Sequence, residues 1–388
     1  MTELQNILDA AVRNRDLPFV VALAADRERV FFSGAAGDAA PGLKADQNTM
    51  FRLFSMTKAV CATGLMLLVE RGRLDLDMAA EQILPALSEL RVLEGFDGDI
   101  PLLRMPRSKP TVRQLATHSS GLEYELWNGG VAEFMDRTGH QSVITGTRAS
   151  LHYPLMSDPG TRWAYGPGVD WLGLVIEAID GRTIVDFCQE EIFDPLGMSS
   201  TRFELLAQDH PRLSTVTLRG EGGAFEAFDV NPPSRPEVYA MGQALYGSPS
   251  DYMRLLRMFL GAGALDGERI LSQQSTAIML ANHLDGLAFT SMLSCSPLSA
   301  DFDPMPGTEL GHSLGFVRNE QTVPGRRSAG SQGWAGLLNS HYWFDPEQGI
   351  AGLFMTQMLP FADPGYMRCY GEFEASVYAT RRATGSVA

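Results

Sequence analysis

Lysine is nearly missing from this chain: of 31 basic residues, only Lys44, Lys58 and Lys109 are lysine, and the others are arginine. Positive charge is scarce overall, 31 basic against 46 acidic residues for a formal net charge of −15, and basic residues never cluster beyond pairs such as Arg326-Arg327. That balance argues against nucleic acid and anionic membrane surfaces as partners. No apolar run reaches the ~18 residues a membrane span needs. The first residues, "MTELQNILDAAVRNRDL", lack the basic and apolar regions of a secretory signal and read as an amphipathic helix, so a cytoplasmic location is expected. The four cysteines, Cys61, Cys188, Cys295 and Cys369, are far apart, and no His/Cys/Asp group has metal-ligand spacing. No Gly-x-x-x-x-Gly-Lys phosphate loop occurs either. The expected ligand is therefore a small molecule, handled without metal or cofactor; oligomeric state is not legible.

What is present is 388 residues, 45% of them hydrophobic, enough for two lobes. "PFVVALAAD" (18–26) and "RVFFSG" (29–34) read as paired strands, followed by a loop to Asn48. Residues 55–70 are apolar nearly all round, which predicts a buried helix closed by Arg71-Gly72. Thr111 and Gln114 have capping-box spacing, and 169–181 is a periodic segment ending on Gly181. The pieces 123–160 and 204–240 read as irregular, suited to lining a pocket or forming a lid. Ser248 and Pro249 start another helix, "NSHYWF" and "GIAGLFMTQM" flank a turn as two strands would, and a last helix is expected over 366–382. Strands at both ends and helices between them predict an α/β (α+β) fold: a mixed, mainly antiparallel sheet flanked by helices, plus a mostly helical second lobe. The expected division is 1–80 with 240–388 as the α/β lobe and 81–239 as the helical lobe, with the active site between them.

Against this background the stretch "FRLFSMTKAV" (51–60) stands out, because it puts a rare lysine inside an apolar helix, three residues after Ser55. Residues i and i+3 share a helix face. Arginine stays charged, whereas lysine can be pushed toward neutrality by burial. A serine hydroxyl is a poor nucleophile until a neighbouring base takes its proton. Ser55 and Lys58 are thus candidates for covalent acyl transfer.

Ser-x-x-Lys is one part of the signature of β-lactamases and penicillin-binding proteins. Over about residues 15 to 380 the chain resembles the serine β-lactamase-like superfamily, and within it the family VIII carboxylesterases and related acyltransferases. The segments that carry the resemblance are "FRLFSMTKAV", "TVRQLATHSSGL", "PGTRWAYGPGVDWLG", "GSPSDYMRLLRMFL" and "GWAGLLNSHYWFDP". The resemblance implies a β-lactamase-like fold, Ser55 as nucleophile, Lys58 as its proton partner and Tyr165 sharing the proton transfer. It also implies an oxyanion hole made of the main-chain N–H groups of Ser55 and Leu337. Which of Lys58 and Tyr165 is the base stays open. Two positions depart from the lactamase pattern: Trp334-Ala335-Gly336 replaces Lys-Thr-Gly, and Pro167 stands where lactamases carry asparagine. An uncharged tryptophan suits a neutral ester better than an anionic lactam, so Trp334 and Gly336 are read as substrate-binding, Gly336 by allowing close approach of an acyl chain.

The expected activity is that of a serine carboxylesterase acting on short to medium acyl esters through a Ser55 acyl-enzyme. Alternatives are an acyltransferase using the same intermediate, a weak β-lactamase or D-amino-acid peptidase, and a non-enzymatic binding module. His118 reads as a turn-fixing residue, and His312 and His341 have no recognisable carboxylate partner. A Ser-His-Asp hydrolase would use Gly-x-Ser-x-Gly, and the serines in "GSPSD" and "GSQGW" do not fit it.

Overall fold

The computed structural model describes residues 2–385. Its main helices are α1 (Glu3–Arg13), α2 (Thr57–Glu70), α3 (Gly129–Thr138), α4 (Gly168–Asp180), α5 (Pro249–Leu260) and α6 (Pro364–Gly385). The strands of the main sheet are β1 (Phe19–Asp26), β2 (Val30–Ala40), β3 (Leu43–Lys44), β4 (Leu310–His312), β5 (Val317–Asn319), β6 (Gln332–Gly336), β7 (Ser340–Asp345) and β8 (Ile350–Met355). They form one eight-stranded sheet in the order β4-β5-β6-β7-β8-β1-β2-β3. Every neighbouring pair is antiparallel. The two ends of the chain meet at the β8–β1 pairing, where Val21 faces Met355 and Asp26 faces Ile350.

β1 is apolar at every position but the last because both faces of the sheet are covered. Val20, Ala22 and Ala24 pack with α1 and α6, among Leu8, Trp343, Phe354 and Phe373. Phe19, Val21, Leu23 and Ala25 point the other way, into the large core shared with α2, α4 and α5. The buried α2 therefore lies on the opposite side of the sheet from the terminal helices. Among the described residues no helix is long and apolar enough to cross a membrane.

Most local signals hold. The N-terminal helix forms, Ser248 caps α5, the Thr111–Gln114 capping box is formed, and α4 ends on Gly181 at φ +91°. Three readings change. β2 continues through Ala40 instead of stopping near residue 34. Its small residues are needed by α1, since a Cβ on Gly34 would come within 2.5 Å of Gln5 Oε1 and 3.0 Å of the Leu8 side chain. The segment 123–160 contains α3, capped by Asn128, whose two leading glycines hide the helical pattern. Within 204–240, Thr217–Arg219 pairs with Phe225–Ala227 and, in parallel, with Met358–Leu359, a long-range pairing no local pattern can signal.

Candidate active site

The nucleophile segment is held from three sides before α2 begins. The main chain of Arg52 is bracketed by the Gln357 amide, which accepts from Arg52 N at 3.0 Å and donates to Arg52 O at 3.2 Å. Leu53 N donates to Leu245 O, and Leu245 N donates to Thr57 Oγ1. Tyr252 OH donates to Met56 O. So constrained, Phe54 adopts a left-handed conformation (φ +45°), uncommon for a bulky residue. The single 3-10 turn Phe54–Met56 then leads into α2 and leaves Ser55 partly exposed above it.

One turn on, Lys58 is 1% exposed, and its three ammonium donors all have acceptors. Nζ donates to Ser55 Oγ at 3.0 Å, Tyr124 OH at 3.2 Å and Gly242 O at 2.9 Å. It also sits 4.8 Å from the centroid of the Tyr165 ring. Tyr165 OH donates to Ser55 Oγ at 2.6 Å, and Trp334 Nε1–H donates to the same phenol oxygen at 3.3 Å. Ser55, Lys58, Tyr165 and Trp334 are thus brought together, although 169 residues separate Tyr165 from Trp334.

Tyr165 is positioned by the turn before α4. His118 accepts from Ala164 N through its carbonyl (2.8 Å) and from Gly166 N through Nδ1 (3.4 Å), gripping the residues on either side. Gly166 can only be glycine here, because a Cβ would lie 1.8 Å from Leu122 O. Burial holds His118 well below the usual imidazole range, with the His312 and Lys58 charges adding to the effect. The expected turn-fixing role is what its hydrogen bonds perform.

Two groups escaped the sequence reading. Tyr124 is the second phenol on Lys58, and Asp170 is a fully buried carboxylate on α4 whose Oδ1 accepts from Gly242 N at 2.6 Å. Gly242 therefore joins Asp170 to Lys58 through its own peptide groups. A Cβ on Gly242 would meet the Asp170 carboxylate and the Tyr124 hydroxyl within 3.0 Å. Burial pushes Asp170 up to about 6, against the opposing pull of the Lys58 charge and the Gly242 N–H. A signal existed for Asp170, a lone carboxylate in the apolar stretch "GVDWLGLVI". Tyr124 had none.

Ser55, Tyr124, Tyr165, Trp334 and Leu337 line a cleft of about 550 Å³ together with Trp127, Val143, Ile144, Met292 and Phe361. The wall is mostly aromatic or aliphatic, and no lysine or arginine lines it. Gly336 is not among the lining residues. A Cβ there would fall 2.4 Å from Leu53 O, so its bareness serves the approach of β6 to the nucleophile turn, not the approach of an acyl chain.

Contrary to the reading that no serine fits it, the Gly-x-Ser-x-Gly spacing does occur, at Gly311-His312-Ser313-Leu314-Gly315. Ser313 is fully buried and donates to Gln332 Oε1 at 2.7 Å, in a connection between β4 and β5, not at a strand-to-helix elbow. It faces no cleft and has no free hydroxyl for chemistry.

Comparison with known proteins places the fold and the family. A family model described as beta-lactamase matches residues 4–368. Monacolin J acid methylbutanoyltransferase from Aspergillus terreus is 31% identical over 353 residues, which cover 87% of this chain and 84% of that protein. Lovastatin esterase from Penicillium rubens is 30% identical over 317 residues, covering 79% of this chain and 78% of the relative. Among solved structures, a mutant of simvastatin synthase from Aspergillus terreus superposes with a TM-score of 0.86 at 27% identity, covering 98% of this chain and 95% of that one.

Proposed function

Because this chain belongs to the beta-lactamase family, we propose that it cleaves carboxylic esters through an acyl-enzyme on Ser55. The observation that carries this reading is the convergence of Lys58 Nζ and Tyr165 OH on Ser55 Oγ at the floor of an apolar cleft. For the attack the Lys58–Tyr165 pair must hold one proton fewer than the arrangement described above, as amine with phenol or as ammonium with phenolate; Ser55 Oγ then attacks the ester carbonyl carbon as its proton passes to the pair. Negative charge on the carbonyl oxygen is taken by the main-chain N–H groups of Ser55 and Leu337, an arrangement that typically contributes about 3 kcal/mol or more per donor. As the tetrahedral intermediate collapses, the C–O bond to the alcohol breaks and the pair returns its proton to the leaving oxygen. Water, deprotonated by the same pair, then releases the acid.

Trp334 fits this reading in two ways. Its ring closes one wall with an uncharged surface, and its N–H donates to the Tyr165 oxygen and helps to hold it over Ser55. A second reading, transfer of the acyl group to an alcohol instead of water, draws support from the apolar cleft wall and from the methylbutanoyltransferase relative. Both share the first half-reaction. The test is p-nitrophenyl butyrate hydrolysis by wild type and Ser55→Ala side by side. Release of p-nitrophenol should fall to background in the variant; activity retained there would remove Ser55 from the mechanism. Added alcohols then separate the two readings, by the ratio of new ester to free butyrate.

A further inference from the structure

The cleft carries one charged side chain that this mechanism leaves unused. Glu125 follows Tyr124 directly and lines the cleft, and its Oε1 accepts from Ser142 Oγ, another lining residue, at 2.5 Å. That serine is its only side-chain partner among the described residues, whereas the neighbouring Glu123 is paired with Arg162. Around it stand five aromatic rings of the lining: Tyr124, Trp127, Tyr165, Trp334 and Phe361. Trp127 is the hub, with ring centroids 6.2 Å from Tyr124, 5.3 Å from Tyr165 and 6.1 Å from Phe361.

Tyr124 and Tyr165 already face the Lys58 ammonium, but a carboxylate with no cationic partner and the remaining rings of Trp127, Trp334 and Phe361 make an environment that attracts positive charge. Ring faces carry the negative end of their quadrupole, and their attraction for a cation strengthens as water is excluded. An alkylammonium group also needs few hydrogen bonds, which an apolar wall could not supply. The position along the substrate follows from the chemistry. The leaving alcohol oxygen must reach the proton on the Lys58–Tyr165 pair, and Glu125 lines the same cleft next in sequence to Tyr124, which contacts Lys58. We propose that the cleft is built for esters whose alcohol part carries an alkylammonium group, with Glu125 as the specificity-determining residue. This rests on the ester reading of Ser55.

The test compares butyrylcholine with 3,3-dimethylbutyl butyrate, which has the same shape with carbon in place of the charged nitrogen. Wild type should favour the cation by about tenfold or more in kcat/KM, and Glu125→Gln should bring the ratio near one, with circular dichroism melts checking the fold. A wild-type ratio near one, or a preference retained in Glu125→Gln, overturns the assignment. A second measurement needs no turnover: calorimetric binding of choline and of 3,3-dimethylbutan-1-ol to Ser55→Ala. Choline should bind tighter by a similar factor, and equal binding also overturns it. If neither ester is hydrolysed while p-nitrophenyl butyrate is, the substrate assignment fails and the ester reading stands; if none of the three is hydrolysed, the ester reading fails, and the binding pair still decides the charge preference.

Discussion

Tyr165 carries two hydrogen bonds on one oxygen, donating to Ser55 and accepting from Trp334, while its ring packs against His118, Tyr124 and Trp127. Tyr165→Phe keeps the ring and removes only the proton path. The expected result is a fall in kcat of roughly 10²–10⁴-fold with a nearly unchanged melting temperature, read by steady-state kinetics and calorimetry on one preparation. An equal loss in both would make the hydroxyl structural. Ser55, Lys58, Tyr165 and Trp334 were legible because each lies in a short segment with its own residue pattern. Tyr124 and Asp170 were not, since what matters about them is contact with Lys58 and Gly242, made across 66 and 72 residues. Gly336 was read correctly as a close-approach position but for the wrong neighbour, because sequence shows that a side chain is missing and not what fills the space.

At the scale of elements, activity depends on how closely β6 runs against the turn that starts α2. Gly336 and Leu53 set that distance. Gly336→Ala forces a methyl group onto Leu53 O and should separate β6 from Ser55, displacing Leu337 and Trp334 together. The prediction is a loss of stability of about 1–3 kcal/mol with a drop in kcat, both measured on the purified variant; unchanged kinetics would show that the turn yields without cost. The helices and strands themselves were mostly legible, because caps at Thr111 and Ser248 and the terminal Gly181 are local chemistry. The exceptions were decided by neighbours. The end of β2, rich in alanine and glycine, reads as a loop yet pairs with β1 as far as Gly37, and Thr217–Arg219 is held by Phe225–Ala227 on one side and by the distant Met358–Leu359 on the other.

For the whole molecule, buried titratable groups set the response to acid. Burial holds His312 and His341 down at about 3 and His118 well below its usual range. Their contribution is complete above about pH 6.5, the unfolded value, and is lost as pH falls below it. Asp170 works the other way: its folded value of about 6 lies above the unfolded one, so its contribution is present at low pH and lost as pH rises through 6. Between pH 6 and 4 Asp170 therefore opposes the histidines. Asp170→Asn should remove that opposition and steepen the loss of stability on acidification by about 1.4 kcal/mol per pH unit. Urea unfolding at pH 4, 5 and 6 reads this directly, and parallel curves for the two proteins would contradict it.

The chemistry proposed for the cleft stands or falls on a covalent intermediate. Wild type mixed with p-nitrophenyl butyrate, quenched in acid within the first turnovers and weighed intact by mass spectrometry, should carry one butyryl group. Digestion should place that group on the peptide containing Ser55, and Ser55→Ala treated in the same way should carry none. Steady hydrolysis with no adduct on Ser55, or an adduct of equal amount in Ser55→Ala, would contradict the account.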